Sequence, residues 1–271
     1  MQFDQTQITI RERGFLEILD LALHVLRSHW GPLSVALGLG VFPFALLNYW
    51  WIGDLVQQDV LWDESNEYLF TMGWLVVGEI PLATAPLTLY LGQVTFHREI
   101  ELRAMVRDYF RSLPQLIVLQ GMVRALLTFL MVTLLFPYLS WPYLNEIILL
   151  ERNPLWGRKG KLTTMRRSRN LHGGSSGQML GRWAISLGLA AILCTSLTFA
   201  LATVAGILRG QGTAPHEAML LWCPLAIWLV AGFFAVVRFL AYLDLRIRRE
   251  GWEVELSLRA EAERLAEGVA T

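Results

Sequence analysis

The chain has 271 residues, of which 54% are apolar and only 17% charged, with 11 tryptophans and a formal net charge of zero. That is too apolar and too poor in charge for a soluble domain of this length, and it points to a lipid environment. Two cysteines, Cys194 and Cys223, without CxxC or Cys/His spacing, suggest neither a metal site nor an extracellular disulfide framework.

The first predicted element is an amphipathic helix over about residues 12–30, in RGFLEILDLALHVLRSHW. Glu17, Asp20, His24 and Arg27 recur on one face, and Phe15, Leu19, Ala22 and Leu26 on another. This pattern predicts an interfacial helix that packs on lipid or on a helix bundle. A membrane crossing takes about 20 apolar helical residues, and six uncharged or nearly uncharged runs can be proposed: about 32–52, 69–96, 116–136, 141–150, 183–208 and 218–243. The first ends in Tyr49-Trp50-Trp51, residues suited to headgroup level. The second contains Gly78, Pro81 and Pro86, which predict a kink. The fourth is short and carries Glu146. Between the second and third lies REIELRAMVRDYFRSL, whose stripe of Leu102, Met105, Tyr109 and Leu113 runs beside Arg103, Arg107 and Arg111 and predicts a second interfacial helix. Residues 250–271 form an amphipathic, charged tail after an integral membrane domain spanning 1–249.

Charge sets the orientation. With both termini cytoplasmic, 20 of the 23 Lys and Arg residues fall inside, whereas the first outer loop holds Asp54, Asp59, Asp63, Glu64 and Glu67. This is the positive-inside asymmetry. The basic run Arg158, Lys159, Lys161, Arg166, Arg167 and Arg169 is therefore a topological signal first. It also makes a candidate contact for anionic lipid headgroups. It has no interleaved aromatics and no reading motif, which argues against nucleic acid as a partner. The overall expectation is an all-α, polytopic membrane protein of about six transmembrane helices, with amphipathic interfacial helices on the cytoplasmic side. The lipid bilayer and membrane-protein subunits are its expected partners.

A catalytic signature is not found. The histidines are dispersed with no HExxH, and the GGSSG stretch at 173–177 lacks a phosphate-loop pattern; it reads as a lead-in that caps the fifth crossing. No catalytic residue, cofactor or metal is assigned. The candidate intramembrane charges are Glu79, Arg124 and Glu146. Glu79 and Arg124 have matched depths, so they read either as a buried ion pair fixing helix register or, with Glu146, as part of a proton or ion pathway.

The segments RGFLEILDLALHVLRSHWGPL, EIILLERNP, RRSRNLHGG and FLAYLDLRIRREGWEVEL resemble the bacterial membrane proteins grouped with the glycerophosphoryl diester phosphodiesterase membrane domain. The likeness runs from about Arg13 to Leu256. It implies a six-helix bacterial inner-membrane protein without the separate catalytic barrel that gives the family its name, since the crossings leave no room for one. His97-Arg98-Glu99 departs from the barrel enzymes' HRG motif, and no catalysis is transferred to it. Family-level gene neighbours, membrane-bound transglutaminase-like proteins and MoxR-type ATPases, suggest an accessory subunit of an envelope-associated complex. The expected function is thus a non-catalytic scaffold or accessory protein. A transporter or channel for a small or amphipathic solute is the alternative, and a lipid-handling enzyme a third.

Overall fold

A computed structural model describes residues 14–58, 66–96, 101–123, 143–154, 163–172, 176–210, 212 and 218–248. Among these every regular element is helical. In chain order they are α1 (Phe15–Ser28), α2 (Trp30–Gln58), α3 (Asn66–Ala83), α4 (Ala85–Phe96) and α5 (Leu102–Leu116), the last continued as a π-helix over Ile117–Val123. A short α6 (Leu144–Glu146) runs on as a π-helix over Ile147–Glu151, and α7 (Thr164–His172), α8 (Ser176–Arg209) and α9 (Cys223–Arg246) follow, α9 being led in by a π-turn at Ala218–Trp222.

Four stretches are long and apolar enough to cross a membrane: Trp30–Asp54, Phe70–Phe96, Leu180–Arg209 and Leu220–Arg246, with mean hydropathies of 1.7, 1.4, 2.1 and 2.3. They coincide with the first, second, fifth and sixth predicted crossings, and they make the chain a membrane-embedded helical protein. Their surroundings differ. The α2 and α8 windows are only 17% and 11% buried, whereas the α3–α4 and α9 windows are 61% and 50% buried. On α2 the inward stripe is Leu33, Ala36, Gly40, Asn48 and Ile52, while Val35, Leu39, Phe42, Leu46, Trp50 and Trp51 are exposed. A helix apolar all round, with small and polar residues on its inner stripe, suits lipid on its outer side.

The second crossing breaks at Thr84, between the two prolines. Pro81 and Pro86 each lack an amide proton, so the ladder is carried by Thr84 N donating to the Ile80 carbonyl and Thr88 N donating to the Thr84 carbonyl. Gly40 of α2 sits directly on this break, because an added Cβ there would lie 1.9 Å from the Ala83 carbonyl oxygen.

The third and fourth predicted crossings are described in part only. Residues 124–142, including Arg124, lie outside the described residues, as do 1–13 and the tail 249–271. What is described of the fourth is a helix of three α-residues and five π-residues, about 12 Å long at 1.5 Å per residue. It is packed on all sides: Leu144, Asn145, Glu146, Ile147, Ile148 and Leu149 are at most 1% exposed. Leu144–Leu149 therefore face protein and not lipid. Leu150 fits against Gly92 of α4, where a Cβ would come within 2.4 Å of its Cδ2.

The amphipathic segments use faces that hydrophobicity alone does not identify. On α1, Ile18, Leu19 and Ala22 are buried against the bundle and Leu16 and Leu23 are exposed. On α5 the buried stripe is Met105, Asp108, Ser112 and Leu116. Leu102, expected beside Met105, is instead exposed, while Asp108 turns inward and pairs with Arg152.

Candidate functional site

The segment Glu146–Pro154 is the hub of a polar network at one end of the bundle. Its π-helix ends at Arg152, the only described non-glycine residue with positive φ (φ 53°, ψ 36°). The left-handed residue and Pro154 two positions on stop the helix. This turn sends Arg152 to Asp108 of α5, with which it forms an ion pair. It also exposes the Asn153 carbonyl, which accepts from Gln115 Nε2 at 3.2 Å and from Thr164 Oγ1 at 2.9 Å. Gln115 donates as well to Thr164 Oγ1 at 2.7 Å, so α5, the turn and the start of α7 are tied together. Nearby on α5 the half-buried Tyr109 hydroxyl is pushed above its ordinary pKa by burial.

Glu151 is saturated. Its Oε2 accepts from Arg167 Nε at 2.7 Å and Asn153 Nδ2 at 3.0 Å, and its Oε1 accepts from Arg167 Nη2 at 3.0 Å and the Tyr242 hydroxyl at 2.8 Å. A carboxylate with four donors has no lone pair left for proton abstraction or nucleophilic attack, so this residue is structural. It joins α7, through a two-pronged arginine contact, to α9, through the Tyr242 hydroxyl.

One turn earlier, Glu146 is 0% exposed and accepts from Arg238 Nε of α9 at 2.6 Å. Glu146 Oε2 and Arg238 Nη2 have no protein hydrogen-bond partner. Asn145 donates from Nδ2 to the Pro81 carbonyl at 2.9 Å, at the proline break of the second crossing. A few residues earlier on α3, Glu79 accepts from Asn48 Nδ2 of α2 at 2.8 Å, and both side chains are buried. Polar contacts thus run across the bundle from α2 through α3 and α6 to α9.

The predicted site residues separate accordingly. Glu79 and Glu146 are buried in the bundle, each with its own partner, Asn48 and Arg238. Arg124 lies outside the described residues, as do Arg158, Lys159 and Lys161. Arg166 and Arg169 are exposed on α7 and keep their candidacy for lipid contact. Arg167 does not: its guanidinium turns inward to Glu151, because on a short helix packed against α6 one arginine of the run must face the bundle. Sequence reasoning missed Asn48, Asp108, Arg238 and Tyr242. Arg238 carried a signal, since a guanidinium inside an apolar run demands a carboxylate. Asn48 carried a weaker one, as an amide in an apolar run just before the aromatic cluster that ends the first crossing.

The arrangement cross-links helices. Among the described residues no three His, Cys, Asp or Glu side chains converge as a metal site, and Cys194 and Cys223 are free thiols. Comparison with protein-family models, with curated proteins and with solved structures finds no match to this chain.

Proposed function

We propose that the chain is a bacterial inner-membrane protein of six crossings with cytoplasmic termini, related to the glycerophosphoryl diester phosphodiesterase membrane-domain group, and that it acts without catalysis as a scaffold or accessory subunit of an envelope-associated complex. The supporting observation is the use of the buried charges: Asp108, Glu146 and Glu151 pair with Arg152, Arg238 and Arg167, each holding one helix to another. A bundle fixed in this way offers a rigid frame, with α2 and α8 free along most of their apolar length. On this reading α1 and α5 lie along the cytoplasmic surface, and Arg166 and Arg169 meet anionic headgroups. Glu79 favours the second reading, a transporter, because its described partner is an amide and not a cation.

Extraction of the full chain in mild detergent, followed by cross-linking and native gel electrophoresis, tests the choice. A stoichiometric complex with other membrane proteins, together with vesicles that show no Glu79-dependent solute flux, is the expected result. A protein that remains alone and carries a flux abolished by Glu79→Gln would overturn the scaffold reading in favour of transport.

A further inference from the structure

We infer that α5 is a docking surface for anionic phospholipid, with its acyl chains on one flank of the helix and its phosphates on the next. The inference rests on the placement of α5 at the cytoplasmic surface proposed above. It concerns residues outside the basic run at 158–169.

Three faces of α5 are distinct. Met105, Asp108, Ser112 and Leu116 are buried in the bundle. Leu102, Val106 and Phe110 form a second stripe, and they are 65%, 53% and 64% exposed. Arg103, Arg107 and Arg111 form the third and are all exposed. At 3.6 residues per turn the arginine stripe lies roughly 100° round the helix from the exposed apolar stripe. Both are turned well away from the buried face. In water the apolar stripe would sit uncovered beside the guanidinium groups. A helix lying in the headgroup layer satisfies both at once, because its apolar flank enters the acyl region and its cationic flank reaches the phosphates.

Charge selects the lipid. The neighbouring carboxylate, Asp108, is buried and paired with Arg152, and its approach to Arg107 is 3.9 Å. The arginine stripe is therefore left largely unneutralised on its own helix, with Glu101 the one exposed acid at its start among the described residues. The Gln115–Thr164 bond brings in α7, whose Arg166 and Arg169 are exposed. The apolar surface is continuous in the other direction: past Pro114 the π-segment exposes Ile117, Val118 and Met122. Guanidinium groups hydrogen-bond phosphate oxygens in forked geometry, and juxtamembrane basic residues favour anionic lipid by about 1 kcal/mol each.

The test uses the full chain with a photoreactive benzoyl-phenylalanine in place of Phe110, reconstituted in vesicles of phosphatidylethanolamine and phosphatidylglycerol of known ratio. Adducts are identified by mass spectrometry. Lipid adducts enriched about fivefold or more in phosphatidylglycerol over its share of the vesicle are expected. The triple variant Arg103→Gln, Arg107→Gln, Arg111→Gln should return the adducts to the bulk ratio while lipid labelling persists. In the unsubstituted helix, high salt should lower the enrichment through screening, an arm that holds even if the triple variant folds poorly. Lipid adducts at the bulk ratio in every case would overturn the anionic preference and leave the surface placement of α5 standing. Peptide adducts with no lipid would overturn the placement itself.

Discussion

Arg238 of α9 donates through Nε to Glu146 of α6 over 2.6 Å, joining two charges that lie 92 positions apart in the chain. Glu146 is completely buried, and no other cation is placed on it by a described hydrogen bond. Removing one partner of such a pair costs about 3–5 kcal/mol, whereas replacing both by apolar residues of similar size is often neutral. Glu146→Leu and Arg238→Leu should each lower the thermal stability of the detergent-solubilised protein sharply, and the double variant should recover most of the loss. Additive damage in the double variant would mean that the two side chains do not stabilise each other.

Glu79 gives the opposite expectation for a conservative change. Its partner Asn48 donates from Nδ2, while Asn48 Oδ1 is buried without a hydrogen-bond partner. A glutamine at 79 can accept the same bond and also supply an N–H to Asn48 Oδ1. Glu79→Gln should therefore leave melting temperature unchanged or raised. Glu79→Leu, which strands the Asn48 amide, should cost about 1–3 kcal/mol. If Glu79→Gln proves as damaging as Glu79→Leu, the carboxylate has a charged partner in addition to Asn48.

The turn at Arg152 separates conformation from charge. Arg152→Gly and Arg152→Ala both remove the pair with Asp108, but only glycine takes φ 53° without a Cβ penalty. Arg152→Gly should be the more stable of the two, by about 1 kcal/mol. Thermal unfolding of the two variants side by side measures this difference, and equal stability would show that the turn relaxes when its ion pair is lost.

Two glycines on one helix provide a paired test of the crossing between α2 and the proline break. A methyl group at Gly40 meets backbone 1.9 Å away, whereas one at Gly38 meets nothing within 4 Å. Gly40→Ala should lower folded yield by the equivalent of ~3 kcal/mol or more, since carbonyl and proline ring cannot rotate aside. Gly38→Ala should be neutral or stabilising by up to about 1 kcal/mol. Size-exclusion profiles after identical expression report both.

Orientation is open to cysteine labelling in intact cells and inverted vesicles. Reagents that do not cross the membrane should reach cysteines at Gln58 and Gln211 from outside, and at Arg111, Lys161 and Ala262 from inside only. Ser112 is a poor reporter because its hydroxyl is buried and donates to the Asp108 carbonyl. Labelling of Lys161→Cys from the outer side would sink the six-crossing topology.

Local patterns in the sequence were informative wherever the physics is local. Four apolar stretches appear as long helices near their expected bounds, and the break between Pro81 and Pro86 follows from two missing amide protons. The α5 faces were less legible. Within a membrane an apolar side chain is content against protein or lipid, so periodicity alone could not tell that Leu102 faces out while Asp108 turns in toward Arg152. The candidate site was legible by residue type but not by partner. Glu79 and Glu146 stood out as costly charges, yet their contacts with Asn48 and Arg238 depend on which helices meet, and nothing within a single helix carries that information. By charge alone Arg167 is indistinguishable from its basic neighbours, because charge patterning is blind to which residue of a run faces inward.

The distance in sequence between Glu146 and Arg238 also has a meaning for biosynthesis. At bacterial and eukaryotic elongation rates of about 5–20 residues per second, Glu146 leaves the ribosome roughly 5–20 seconds before the guanidinium that neutralises it. During that interval Glu146 has no counter-charge to settle beside. A chain that stalls before α9 thus presents an unpaired carboxyl to the insertion machinery and to membrane proteases, and synthesis of α9 is the step that removes this mark of incompleteness.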